Sequence, residues 1–250
     1  MSDPSAGASR GNGKRQSERR GLRLALVALC AVLSVLFAAL GVWQVQRLSW
    51  KLDLIERVEA RIHAAPTPAP DADSFAREAP ANLEYRRVVL TGRFLNDRET
   101  LVQAVTARGG GFWVLTPLVT REGFTVLVNR GFVPPDRRSP DSRQPGNIAG
   151  ETTVTGLLRL SEPGGAFLRE NDPPADRWYS RDVQAIAMAR GLGPVVPYFV
   201  DADGTPVPGG YPVGGLTVVR FINNHLVYAL TWFALAAMSV AGAVWVTHRG

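Results

Sequence analysis

Cysteine occurs once in these 250 residues, at Cys30, and histidine only at His63, His225 and His248. A lone cysteine inside an apolar run leaves the rest of the chain without a disulfide, a thiolate metal site or a nucleophilic thiol. Only His63 lies between the two apolar ends. No second imidazole is there to complete a Ser/His/Asp set, and no H-E-x-x-H or Cys/His cluster suggests zinc. Copper is equally unsupported, since no Met/His/Cys cluster occurs. Gly109-Gly110-Gly111 lacks the Lys-Ser/Thr of a phosphate loop and reads as a plain turn. Asp201 and Asp203 form a carboxylate pair in a Gly/Pro-rich stretch and read as solvated loop acids. With these chemistries removed, the chain reads as something other than an enzyme.

Charge is missing from two long stretches. None appears from Leu24 to Gln46, and after Arg220 the next formal charge is Arg249, with the most apolar part at Leu226–Val246. At 1.5 Å rise per residue, about 20 residues cross a hydrocarbon layer of about 30 Å. Both stretches suffice, so two transmembrane helices are expected. Ala38-Ala39-Leu40-Gly41 is a weak cleavage site, but the run is longer than a signal-peptide core and reads as an uncleaved anchor. The tail to Arg23 carries six basic and two acidic residues, Arg249 adds a cation at the far end, and the intervening part is nearly balanced. Positive flanks stay on the cytoplasmic side. Both termini are therefore expected in the cytoplasm of a cell (inner) membrane protein, with the middle periplasmic or otherwise extracytoplasmic. The basic balance belongs to the tails, so the partner is the lipid bilayer and no nucleic acid is implied.

The expected organisation is a disordered basic tail (1–23), a first span (24–46), an amphipathic helical arm (47–63), an extracytoplasmic domain (64–222), a second span (223–247) and a short tail (248–250). Leu48, Leu52, Ile55, Val58 and Ile62 carry the arm's period. Pro66-Thr67-Pro68-Ala69-Pro70 ends it and opens a linker or extended wrap to Pro80. Alternation over Arg86–Phe94 predicts a strand. Further strands are predicted at Leu101–Val105, Thr152–Leu160, Val195–Val200 and Leu216–Ile222. Phe112–Val119 and Phe124–Val128 flank Arg121-Glu122-Gly123 as a hairpin. Ser180–Arg190 reads as a helix capped by Ser180 with Gly191 past its end. The fold class is an α+β membrane protein, with two terminal transmembrane helices flanking a small antiparallel β-sheet or barrel domain with one helix.

The helix ends hold the groups left to consider. Trp43, Arg47 and Trp50 share a helical face, and Lys51 follows Arg47 by four. On the second span, Tyr228 and Trp232 follow His225 by three and seven, so all three share a face. Small residues at spacing four (Cys30, Ser34, Ala38; Ala237, Ala241) allow close packing of the spans. One reading makes the aromatics an interfacial belt and Arg47 and Lys51 headgroup anchors. The other lodges a haem against the two helices, with His225 as axial ligand to its iron, aromatic walls, and Arg47 and Lys51 neutralising the propionates.

Six segments in order, LGVWQVQRLSWK, YRRVVLTGRF, LVNRGFVP, VTGLLR, WYSRD and NNHLVYALTWFALA, resemble the Surfeit locus protein 1 family from about Leu40 to Ala236. Phe132 stands where Trp is common in that family. The resemblance implies a two-span inner-membrane assembly factor, or chaperone, for haem–copper terminal oxidases in respiratory chain biogenesis. It implies binding of haem a and its passage to the catalytic subunit of cytochrome c oxidase, with the haem a synthesis machinery as a further partner. The family's histidine near the start of the second span maps onto His225. A scaffold that stabilises an oxidase intermediate without touching haem is the alternative. A two-span receptor is disfavoured by tails of about 23 and 4 residues, too short for a signalling domain.

Overall fold

The computed structural model describes residues 8–166, 168–219, 221 and 223–248, with side chains from Ser17 onward. Two compact units result, Met1–Glu56 with Arg220–Gly250, and Arg57–Val219.

Helix α1 (Ala8–His63) is continuous over 56 residues. The basic tail expected to be disordered is helical from Ala8, while residues 1–7 lie outside the described residues. Helix propagation from a long apolar span adds one hydrogen bond per residue fixed, which carries the helix into its polar flank. The arm at 47–63 is likewise no separate element. In its last turns Val58 is buried and Arg61 donates to the Ala81 carbonyl at 2.8 Å.

The Pro-rich stretch is more ordered than a linker. It contains strand β1 (Thr67–Pro68) and helices α2 (Ala72–Arg77) and α3 (Pro80–Leu83). Asp71 caps α2, accepting from the Ser74 amide at 2.7 Å. The main strands are β2 (Arg87–Phe94), β3 (Thr100–Thr106), β4 (Gly109–Thr120), β5 (Thr125–Val133) and β6 (Glu151–Leu160). A small ribbon follows, β7 (Gly165–Ala166) with β8 (Arg169–Glu170), then α4 (Val183–Ala189) and β9 (Val195–Ala202).

The strand order is β1-β2-β6-β9-β5-β4-β3, and β2 also pairs with β4 through Gly92–Phe94 and Leu118–Thr120. Five strands, β2, β6, β9, β5 and β4, therefore close into a ring, and closure removes the sheet edge. Gly92 permits it, because a Cβ there would strike the Val119 carbonyl. The pairing is not purely antiparallel, since β5 runs parallel to β9 and β1 to β2.

Alternation sorts the side chains onto two faces. Val88, Leu90, Leu118, Val126, Val128, Leu158, Tyr198 and Val200 come from all five ring strands and fill the interior. Phe75 of α2 joins them, stacked on Tyr198 at 5.3 Å, while the Tyr198 hydroxyl donates to the Pro70 carbonyl at 2.6 Å. Leu115, Leu127 and Phe199 point outward and are covered by Trp178 and by Val183 and Ile186 of α4.

Three local expectations change. Gly109–Gly111 is no turn: the turn is Ala107–Arg108, and the glycines begin β4, where a Cβ on Gly111 would meet Phe132 and the Val133 carbonyl. Helix α4 starts at Val183 with Asp182 as its cap, because Ser180 is engaged elsewhere, donating to the Glu162 carbonyl at 2.7 Å. The last expected strand is absent over Leu216–Val219 and Phe221, with Arg220 and Ile222 outside the described residues. Pairing occurs instead at Val213, which exchanges two backbone bonds with Phe132, and Gly214-Gly215 then turns the chain away.

Helix α5 (His225–His248) belongs with the apolar part of α1. Only 6% and 11% of the most apolar windows of the two helices are buried, unlike the core helices of a soluble domain. They are long and apolar enough to cross a membrane, and the molecule is a two-span membrane protein of the α+β class.

Candidate functional site

The barrel domain uses many of its polar residues to hold itself together. Asp201 is no solvated acid: its side chain is 2% exposed and faces Arg159 at 3.1 Å and Arg181 at 3.2 Å. Asn129 and Thr217 also donate to it, at 2.7 and 3.0 Å. Glu162 completes the cluster. Burial raises its carboxyl pKa, but the hydrogen bonds and charge of Arg181 outweigh that and hold it below the usual range. Asp203 is ordered as well, accepting from the Thr205 amide and hydroxyl.

The segment WYSRD is consumed by the same scaffolding. Trp178 is buried, Ser180 bonds Glu162, Arg181 bonds Asp201, and Asp182 caps α4. In the hairpin motif, Asn129 donates to Asp201, and Gly131 holds φ 126° where a Cβ would strike the Val213 carbonyl. Arg130 is buried over the Phe94 ring at 4.6 Å and donates to Asn96 and the Gly146 carbonyl. Burial pushes its guanidinium down to about 10, so it stays charged at neutral pH. Arg130 lines a cavity with Phe94, Thr152 and Ala202, and both of its terminal nitrogens donate to protein acceptors. His63 is exposed and meets only Glu59 of its own helix among the described residues, through that residue's carbonyl and carboxylate. Among the described residues no group of three or more His, Cys, Asp or Glu side chains could hold a metal ion.

The helix pair is arranged differently. Gln44 meets His225, Phe37 stacks on Trp232 at 5.6 Å, and Gly242 lies over Cys30. Rising numbers on α5 match falling numbers on α1, so the helices are antiparallel. Partly or fully buried positions recur at 30, 34, 37, 41, 44 and 48 on α1 and at 225, 229, 232, 236, 239 and 243 on α5. This four-and-three spacing is that of a left-handed helix pair. Small residues do line the seam, but only partly as expected. Cys30, Ser34 and Ala38 face inward, whereas Ala237 and Ala241 are exposed and Ala229 and Ala236 take their place. Gly41 packs on the Phe233 ring so closely that a Cβ would come within 2.6 Å of it.

The expected site residues separate into groups. His225 opens α5, its amide bonded to the Asn223 side chain at 3.4 Å and the Asn224 carbonyl accepting from the Tyr228 amide. Its Nδ1 lies 2.7 Å from Gln44 Oε1. Among the described residues no group meets Nε2. Trp232 lies about two turns deeper, on Phe37. Arg47 is held between Trp43 and Trp50, 5.8 and 5.6 Å from their ring centres, on a flank beside the seam. Lys51 sits over Phe221 at 5.2 Å. Neither cation has an acidic partner among the described residues. Tyr228 is 53% exposed and borders the seam rather than lining it.

Sequence reasoning passed over Gln44. It is 9% exposed, a buried amide among apolar side chains. Its signal was available, since a polar side chain within an apolar span requires a partner.

Such residues fit a haem: an imidazole whose Nε2 meets no group among the described residues, stacked aromatics beside it, and, a turn or two along α1, two cations with no acidic partner among those residues. Haem needs a single protein ligand on one side of its iron, so the missing carboxylate and cysteine groups are no obstacle.

A closed five-stranded barrel and an antiparallel pair of terminal membrane helices define the class: a two-span membrane protein of the α+β type. The SURF1 family model matches residues 31–237, and the chain belongs to the SURF1 family. It is 43% identical over 216 residues to Surfeit locus protein 1 of Homo sapiens, covering 79% of this chain and 69% of that one. The Xenopus tropicalis protein of the same name is 38% identical over 227 residues, covering 84% and 71%. A SURF1-like protein of Monosiga brevicollis is 35% identical over 235 residues, covering 89% and 87%.

Proposed function

We propose that this protein is a membrane assembly factor for a haem–copper terminal oxidase, and that its helix pair holds haem a for the catalytic subunit of cytochrome c oxidase. The observation that carries this reading is His225 at the mouth of the pair, with Nδ1 engaged by Gln44 and no group among the described residues at Nε2. Haem held there would supply an iron centre able to accept a nitrogen ligand. The chain's own part is to bind and orient: His225 presents its lone pair, Trp232 and Tyr228 offer apolar surface, and Trp43 and Trp50 hold Arg47 as a fixed cation. Arg47 and Lys51 neutralise the propionates. Many of its polar groups are spent on the fold, and the barrel domain serves as a docking module for the oxidase subunit rather than an enzyme. The basic flanks at both ends favour a cell inner membrane location with both termini cytoplasmic and the barrel extracytoplasmic.

The test is the haem content and type of detergent-purified protein from cells that make haem a, wild type against His225→Ala. The wild type is expected to show a Soret band that the variant largely loses. An unchanged band in His225→Ala removes the ligand assignment. Haem-free wild type that still co-purifies with the oxidase subunit supports the scaffold alternative.

A further inference from the structure

Gln44 and His225 come from opposite ends of the chain, yet their side chains meet at 2.7 Å between two helices. A carboxamide oxygen has lone pairs and no proton, so the Nδ1 facing Gln44 Oε1 must be the donor. A neutral imidazole carries a single N–H. Fixing it on Nδ1 leaves Nε2 as the nitrogen with the free lone pair. Without such a partner the two tautomers interconvert and the ring turns about its side-chain bonds.

The surroundings make this contact specific. Gln44 is buried, whereas Gln46, the other carboxamide within the span 24–46, is exposed. Gln44 lies one turn from Gly41, where the absence of a side chain lets Phe233 approach. The His225 backbone is held independently by the Asn223 cap. Two separate restraints thus act on one residue, the cap on its main chain and Gln44 on its ring. A helix cap alone would need no buried amide from the other helix.

We propose that Gln44 is a positioning residue, which holds His225 in the Nδ1–H tautomer and aims Nε2 at the iron of a bound haem. The inference rests on the haem reading for its purpose, but the tautomer it assigns belongs to the protein without ligand. A hydrogen bond behind a ligating histidine raises its basicity and fixes its direction, and losing such a partner costs about 10–100-fold in metal affinity.

The experiment uses full-length protein in detergent micelles at a pH where imidazole is neutral. Imidazole nitrogens are labelled with nitrogen-15, and His63 and His248 are replaced by glutamine so that His225 alone is observed. In the haem-free protein, His225 is expected to be protonated at Nδ1 and bare at Nε2. Gln44→Leu should show a mixture of tautomers, and Gln44→Glu, which keeps an acceptor oxygen at the same reach, should restore the single one. Titration with haem a should then show affinity about 10–100-fold weaker in Gln44→Leu and recovered in Gln44→Glu.

A wild type that shows the Nδ1–H tautomer but takes up no haem sinks the haem reading and leaves Gln44 as the residue that orients His225. A tautomer unchanged in Gln44→Leu, or one protonated at Nε2 in wild type, overturns the proposal even if haem binds through His225. Should Gln44→Leu not purify as a folded protein, Gln44→Glu carries the test. The added negative charge strengthens the bond to Nδ1–H, and the reduction potential of bound haem a should fall relative to wild type. An unmoved potential there overturns the proposal.

Discussion

Asp201 shows how much of the barrel domain hangs on single residues. Four donors from separate segments converge on its carboxylate, and two are arginines whose side chains are 14% and 15% exposed. Removing one member of a buried ion cluster strands the others, at a cost of about 3–5 kcal/mol. Asp201→Ala is therefore expected to lower the unfolding midpoint of the detergent-solubilised protein by many degrees, with Asp201→Asn intermediate. A change of a degree or less would show that the cluster contributes little. In the sequence this residue looks like a loop acid, because Asp203 and a Gly/Pro stretch follow it. Strand β9 runs on past Val200, and only its pairing with β5 places Asp201 beside Asn129. The two arginines are 42 and 20 residues away in the chain, a distance no local pattern spans.

At the scale of elements, the two spans were legible and their facing sides were not. Length and absence of charge identify a membrane helix, but lipid is as apolar as a partner helix, so hydropathy carries no contrast between the two sides. Spacing alone pointed to Ala237 and Ala241, whereas the contact runs through Ala229, Ala236 and Gly242. A Cβ at Gly242 would lie 3.7 Å from Cys30 Sγ, within reach of a disulfide after small adjustment. Gly242→Cys is thus expected to cross-link to native Cys30 on mild oxidation in membranes. The check is cleavage within the barrel domain followed by non-reducing electrophoresis, where the two ends should migrate together. Ala237→Cys should not cross-link, and equal cross-linking of both would contradict the antiparallel register. The strands were read better, because a half-buried strand alternates. Val88 and Leu90 are buried as their period demands, while Leu216–Val219 has the composition of a strand and pairs with none among the described residues.

For the whole molecule, the antiparallel helix pair brings the start of α1 and the end of α5 to the same side of the pair. The orientation proposed from charge then makes a definite prediction. In a Cys30→Ala background, a cysteine at Ala107, in the exposed β3–β4 turn, is expected to react with a membrane-impermeant thiol reagent in intact cells stripped of their outer barrier. A cysteine at Ser17 should react only after the membrane is broken. The reverse pattern would invert the assignment and place the barrel in the cytoplasm.

By itself the sequence determined the class of molecule, since two uncharged stretches and period-two alternation are local properties of the chain. It also marked His225, Arg47 and the tryptophans as unusual, because charged and amphipathic groups at span ends stand out against an apolar background. Tertiary structure alone decided that five strands close into a ring, that Asp201 is buried, and that Gln44 meets His225. Each of these joins residues far apart in sequence, and their energies depend on which atoms share a desolvated site rather than on residue order.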